Sequence, residues 1–258
     1  LFNFSIQLTT SCKQGCSGCY QPHIKESIHP DTILNTLKEF IETRTKTKIF
    51  RPFKITFFGG EPLYEYETIF KIIEFIDKTK PYGFRQFNMP TSGIIKRDSI
   101  QYKSSDQIDF LSIVQGMVDR TQYNIRISVS HDGIDNEITR NVPAERIIRI
   151  IGGLLKKEIQ NNRILTSPTI STVIPQNINE DYFIDNYDYF MEHIGKPCNF
   201  KIPYIINKNS NLYTNPEIFK MAVKKFIDKM NSGKIKKDSI PHLFSEVLDL
   251  LKFNHKYN

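Results

Sequence analysis

Cysteine is scarce in this chain. Four occur among 258 residues, too few for a disulfide-stapled secreted scaffold. No run approaches the ~20 uninterrupted apolar residues of a membrane-spanning helix, so no transmembrane segment is expected. No basic segment followed by an apolar one marks a signal peptide. The chain starts at Leu1 on the edge of a predicted strand, without an initiator methionine, which suggests a trimmed start or a disordered one outside the numbering. Aromatic and basic residues do not interleave in the manner of single-strand nucleic-acid binders. These absences lead us to expect a reduced cytoplasmic protein with no membrane partner.

Apolar residues make up 39% of the chain, with 19 Phe and 12 Tyr. That is enough for a globular core in one domain and excludes a disordered chain. The formal charge of +7 would suit nucleic acid or another acidic partner. The simpler reading is a lysine-rich surface, because Lys156-Lys157, Lys224-Lys225 and Lys236-Lys237 sit at solvent-facing positions of predicted helices.

Three of the four cysteines share one short stretch, Cys12-Lys13-Gln14-Gly15-Cys16-Ser17-Gly18-Cys19-Tyr20. Three thiolates on one loop can converge on an iron–sulfur cluster or a zinc ion, or take part in disulfides. A disulfide network lacks partners, since only Cys198 remains elsewhere. A closed zinc site needs four N or S ligands, and no second C-x2-C supplies the rest. Iron–sulfur cubanes take four cysteines, so three would leave one iron open to another ligand.

The spacing C-x3-C-x2-C resembles that of the radical S-adenosylmethionine (SAM) enzymes. Phe57-Phe58-Gly59-Gly60-Glu61-Pro62, further along, resembles that family's Gly-Gly-Glu-Pro segment at the end of the second strand. The resemblance implies a [4Fe–4S] cluster on Cys12, Cys16 and Cys19, with SAM chelating the open iron. It implies one-electron cleavage of SAM to a 5′-deoxyadenosyl radical that abstracts hydrogen from the substrate. It also implies oxygen sensitivity and an electron donor such as flavodoxin or ferredoxin. The family's aromatic residue before the third cysteine is here Gly18, whereas Tyr20 after it matches a subset of the family and is placed near SAM.

Hydrophobic periodicity predicts strands at 2–10, 54–58, 84–90, 123–130, 165–174 and 199–206. It predicts helices at 31–46, 67–78, 108–120, 144–158, 181–194, 216–230 and 241–253. Residues 21–30 and 131–142 read as irregular. Strand then helix, repeated, implies parallel strands joined by crossover helices. The count suits an open partial (β/α)6 TIM-like barrel over residues 1–206, the family's usual core, with a C-terminal helical extension at 207–258 packing on it. Chemistry in such barrels sits at the C-terminal strand ends, where the cysteine loop, Gly59-Gly60-Glu61 and Ser130-His131-Asp132 all fall.

The resemblance implies roles for further residues. Gly59, Gly60, Glu61 and Pro62 would meet the SAM ammonium, through backbone carbonyls and the Glu61 side chain. Ser128 and Ser130 share one face of their strand by parity, and one would hold the ribose. Asp132-Gly133 followed by Arg140 resembles the peptide-modifying branch, where the guanidinium pairs with the SAM carboxylate. Val173 and Ile174 would pack the adenine. His131 would serve in proton handling or sit solvated, and Cys198 reads as a buried structural thiol. A peptide or protein substrate is expected, with a small molecule or nucleotide as the alternative; a metal-bearing nucleic-acid module is a third reading.

Overall fold

The structure, a computed structural model, describes residues 1–12, 14–16, 19, 26–48, 50–93, 105–160, 169–173, 178–195, 199–201 and 216–235. In chain order these form β1 (Phe2–Thr9), α1 (Pro30–Lys46), β2 (Phe53–Gly59), a 3-10 turn (Pro62–Glu65), α2 (Tyr66–Thr79), β3 (Phe84–Thr91), α3 (Ser105–Asp119), β4 (Asn124–Ser130), a second 3-10 turn (Gly133–Asp135), α4 (Asn136–Arg140), α5 (Ala144–Gln160), β5 (Thr169–Val173), α6 (Tyr182–Ile194), β6 (Asn199–Lys201) and α7 (Pro216–Asn231). Two compact units result. The first comprises Leu1–Gly15, Gln21–Ser130 and Glu145–Thr169; the second comprises Cys16–Tyr20, His131–Ala144 and Ile170–Asn258. The α/β class expected from the sequence is the one observed. The boundary expected at 206/207 and the helix at 241–253 lie outside the described residues.

In the first unit four strands run parallel in the order β1-β2-β3-β4, with Phe2 opposite Phe53, Phe53 opposite Phe84, and Phe87 opposite Ile125. Parallel neighbours require crossovers, which α1, α2 and α3 supply. Period-two alternation gives the sheet one dry face. Phe53, Ile55 and Phe57 are fully buried, as are Ile69, Ile72, Ile73 and Ile76 along one stripe of α2. The intervening strand residues make a half-buried polar face. There Thr56 Oγ1 donates to Asn3 Oδ1 at 2.7 Å, and Gln86 Nε2 donates to Asn88 Oδ1 at 2.7 Å. Helix α1 opens with Pro30 at its first position, where its missing N–H costs nothing.

In the second unit β5 and β6 pair in parallel, Thr172 opposite Phe200. Helices α6 and α7 pack through Phe183 against Phe219 and Tyr187 against Phe226, at centroid distances of 5.7 and 6.0 Å. Lys225 and Lys229 reach Asp181 and Asp188 at 2.8 and 2.7 Å. Residues 131–142 are not irregular throughout, as their sequence led us to expect. They hold the second 3-10 turn and α4, which has no hydrophobic repeat and is fastened by side-chain hydrogen bonds. Among the described residues no helix is long and apolar enough to cross a membrane.

Ile72 lies in the dry layer with no exposure. Ile72→Ala is expected to destabilise the protein by about 2–5 kcal/mol. Lys78→Ala, on the exposed side of the same helix, should shift stability by less than about 0.5 kcal/mol. Urea denaturation of both variants checks the assignment of faces.

Candidate functional site

The cysteine loop leaves β1 through a bulge. Register between β1 and β2 shifts from Gln7 to Thr9, so that Thr9 stands opposite Gly59. Gly60 N–H then donates to Thr9 O at 2.8 Å and Glu61 N–H to Ser11 O at 2.9 Å. Only glycine permits this approach. A Cβ on Gly59, whose φ is +138°, would lie 2.1 Å from Thr9 O, and one on Gly60 would lie 2.2 Å from Ser11 O.

The returning chain closes the loop at its base. Thr10 N–H donates to Glu26 O at 2.8 Å, Ile28 N–H to Leu8 O at 3.0 Å, and Thr9 Oγ1 to Glu26 O at 2.9 Å. Ser27 bridges Thr9 in antiparallel fashion. Residues 26–28, read from sequence as an irregular extension, thus form a short clasp.

Glu61 is buried at the end of β2, with 1% of its surface exposed. Its Oε1 accepts from Thr91 Oγ1 at 2.6 Å and Leu63 N–H at 3.1 Å. Its Oε2 accepts from Ser92 N–H at 2.8 Å and Ser92 Oγ at 2.5 Å. Burial pushes its carboxyl above the usual carboxylate range, while the bonds from Ser92, Thr91 and Leu63 pull it back. Pro62 is buried and opens the 3-10 turn that Glu61 caps. Ser128 and Ser130 lie on the half-buried face of β4, alternating with the buried Ile127 and Val129, as parity predicts.

Cys12 and Gln14 also belong to the first unit. Cys12 is half-buried, and its sulfur is in no disulfide. Gln14 is 6% exposed, and its Nε2 donor has no partner among the described residues.

In the second unit Cys16 is half-buried, Cys19 is exposed, both thiols are free, and Cys19 N–H donates to Cys16 O at 3.1 Å. Burial raises the Cys16 thiol; the Arg140 guanidinium opposes this, and Cys19 and Asp132 add to it. Arg140 grips Asp132: Nη2 donates to Oδ1 at 2.9 Å. Nε lies 2.8 Å from Oδ2, but its N–H is not aimed at the oxygen, so that contact is electrostatic rather than a second aligned hydrogen bond. Thr139 Oγ1 adds a bond to Oδ2 at 2.7 Å. Asn136 completes the knot, accepting from Asp132 N–H at 3.1 Å and donating to Val142 O at 2.7 Å.

His131 is not the solvated loop histidine that its sequence position allows. It is fully buried, beside Phe190 at a centroid distance of 5.1 Å. Nδ1 accepts from Gly133 N–H at 2.9 Å and its carbonyl accepts from Thr172 Oγ1 at 2.7 Å. Burial, then the Arg140 charge, lower its pKa to about 3, against a bond to the Ala144 backbone that raises it; His193 adds to the fall. The imidazole is therefore neutral near pH 7. The sequence shows the residue type but not the packing of α6 that encloses it.

Among the described residues no three His, Cys, Asp or Glu side chains are gathered closely enough to hold a metal ion. The residue types nevertheless fit a cluster. Reduced cysteines are soft iron ligands, and the orphaned amide of Gln14 is a donor of the kind that tunes cluster sulfurs. The side chain of Val173 and all of Tyr20, Ile174 and Cys198 lie outside what is described.

Two outcomes are expected. Gly60→Ala should open the contact with Ser11 and lower thermal stability, whereas Gly152→Ala, with open space around it, should not; thermal melts decide. A histidine whose folded pKa lies below its unfolded one contributes stability that is complete above about pH 6.5 and is lost as pH falls toward 3. Below pH 6.5, wild type should therefore lose up to ~1.4 kcal/mol per pH unit more than His131→Leu. Denaturant titrations at several pH values measure that difference.

Residues 5–131 match the family model of a 4Fe-4S single cluster domain. None of the curated proteins compared with the chain matches it. The fold is shared with solved structures. One is anSMEcpe with bound AdoMet and Cp18Cys peptide: TM-score 0.61, 18% identity, covering 90% of this chain and 61% of that one. A histidine-tagged form of the same protein with bound AdoMet gives a TM-score of 0.62 at 17% identity, covering 90% of this chain and 62% of that one. The cobalamin-dependent SAM radical enzyme OxsB with aqua-cobalamin bound gives 0.50 at 14% identity, covering 87% of this chain and 30% of that one. The chain thus spans about three fifths of the length of anSMEcpe. The matched span contains both the three-cysteine loop and Gly59-Gly60-Glu61-Pro62, and the fold is the one shared with these solved structures.

Proposed function

We propose that the chain is a radical SAM enzyme that acts on a peptide or protein side chain. The observation that carries it is the C-x3-C-x2-C loop, inside the match to a single-cluster 4Fe-4S domain. Cys12, Cys16 and Cys19 would hold a [4Fe–4S] cluster as thiolates, with SAM bound beside them. Together the two groups would supply one-electron radical chemistry, the electron coming from a donor such as flavodoxin or ferredoxin. Cysteines outside any disulfide fit a reducing compartment such as the cytoplasm.

The chain's own residues bind and orient. The end of β2, at Gly59 and Gly60, offers backbone carbonyls to the SAM ammonium, with Glu61 and Pro62 shaping that end. Ser128 or Ser130 holds the ribose, and Tyr20, Val173 and Ile174 cover the adenine. Arg140, held by Asp132, offers the rest of its guanidinium to the carboxylate. The peptide substrate is supported by the Asp132-Gly133…Arg140 segment and by the fold shared with anSMEcpe, whose structure holds a peptide.

Anaerobic reconstitution tests the reading. Wild type should turn brown, bind about four irons as expected of a [4Fe–4S] centre, and release 5′-deoxyadenosine with SAM and dithionite. Cys16→Ala should lose both properties. A colourless protein, or a Cys16→Ala variant with normal iron content, overturns the proposal. Arg140→Ala should keep the cluster and weaken SAM binding about ten- to a hundredfold, the equivalent of one charge-assisted bond. An unchanged dissociation constant would remove Arg140 from the site.

A further inference from the structure

Glu61 presents a problem for any direct contact with SAM. An ionised carboxylate has about four lone-pair positions. In Glu61 four donors already take them: Thr91 Oγ1, Leu63 N–H, Ser92 N–H and Ser92 Oγ, between 2.5 and 3.1 Å. The side chain is buried, with both oxygens turned toward the end of β3. A fifth donor, such as an ammonium, would have to break one of these bonds in a site shielded from water.

The backbone of the same residue faces the other way. Its N–H donates to Ser11 O at 2.9 Å, next to Cys12, and the preceding Gly60 N–H donates to Thr9 O at 2.8 Å. Thr91 Oγ1 in turn accepts from Gly93 N–H at 2.9 Å, so the turn after β3 is fixed by the same hydroxyl. One residue therefore ties together the ends of β1, β2 and β3.

We infer that Glu61 is a positioning residue: it fastens the Ser11-Cys12 start of the cysteine loop and the Thr91-Ser92-Gly93 turn to the end of β2, and its carboxylate does not receive the SAM ammonium. The inference rests on the proposed SAM site and narrows it, leaving the ammonium to backbone carbonyls. The bonds are demanding in type. Ser92 N–H and Leu63 N–H are fixed donors and need acceptors. A glutamine at this position has one acceptor oxygen and turns an NH2 donor against one of those N–H groups.

The test uses Glu61→Gln, Thr91→Val and Ser92→Ala, singly and as Glu61→Gln/Ser92→Ala, in reconstituted protein. One readout is the SAM dissociation constant. A second is hydrogen exchange at the amides of Glu61 and Ser92 without SAM, which needs neither cluster nor ligand. If Glu61 positions, all three variants speed exchange at both amides and weaken SAM binding several-fold or more. The double variant is then no worse than the weaker-binding single one, because each breaks the same unit.

If Glu61 contacts the ammonium, Ser92→Ala frees a lone pair on a carboxylate that stays charged, and SAM binding holds or tightens. Glu61→Gln alone then falls about tenfold or more. That pattern overturns the inference, as does native exchange in Glu61→Gln. Should Glu61→Gln fail to fold, the milder Thr91→Val and Ser92→Ala decide by the same criteria. Wild type that binds no SAM would defeat the proposed function, while the exchange data would still judge the fastening.

Discussion

The arrangement at the strand ends depends on how closely two backbones approach. Thr9 and Ser11 carbonyls sit where the side chains of residues 59 and 60 would otherwise be. Two hydrogen bonds cross that seam, from Gly60 and Glu61. Because neither glycine carries a Cβ, the cysteine loop begins flush against the end of β2 rather than a side chain's width away. The seam fixes where Cys12 leaves the sheet. It also fixes the backbone of Glu61, whose side chain then reaches Thr91 and Ser92 at the end of β3 and the Leu63 N–H. A single steric allowance thereby sets the position of the loop's first cysteine and the direction of a buried carboxylate.

Burial gives that carboxylate its meaning. A charge taken out of water is stable only if its lone pairs are met. Thr91 meets one by its hydroxyl, Ser92 two by its hydroxyl and N–H, and Leu63 the fourth by its N–H. Thr91 ends β3 and Ser92 follows it, so the requirement ties the end of β3 to the end of β2. The second unit solves a similar problem differently. Asp132 is buried with Arg140, Thr139 and Asn136 around it, all drawn from the next few residues. The knot is local in sequence, and it explains a helix as short as α4. Its five residues lack both hydrophobic periodicity and the length to be stable alone. Side-chain bonds to Asp132 and Val142 hold it.

This difference explains what the sequence could and could not disclose. The strands and long helices follow periodicity, and Phe53, Ile55 and Phe57 or Ile69, Ile72 and Ile76 announce their buried faces without help. Motif spacing marked Cys12, Cys16, Cys19 and the Gly59-Gly60 end. Residue types at Glu61, His131 and Arg140 were visible too, but not their partners. Thr91 and Ser92 follow the predicted strand at 84–90 with no sign in the sequence that they grip a carboxylate thirty positions earlier. His131 looked like a loop residue because nothing near it in sequence is apolar enough to bury it; Tyr189 and Phe190 of α6 do so. Gln14 gave no signal at all, since an amide between two cysteines reads as surface until its burial is known.

Arg140 shows how such partners change a residue's chemistry. Alone, a guanidinium beside the half-buried Cys16 would favour the thiolate. Asp132 lies with it, and the two charges act on Cys16 in opposite senses, with Arg140 the stronger. The pair therefore delivers a graded rather than a full positive field. It also keeps the guanidinium from leaving, because its side chain is only 12% exposed and Asp132 4%. Losing either partner would strand the other in a poorly solvated place, a cost that exceeds what the pair contributes when intact. His131 belongs to the same balance. A second cation there would repel Arg140, and burial prevents it by keeping the imidazole neutral through the physiological range. The segment from His131 to Arg140 thus holds one positive group, fixed in place by one negative group, beside a cysteine whose ionisation responds to both.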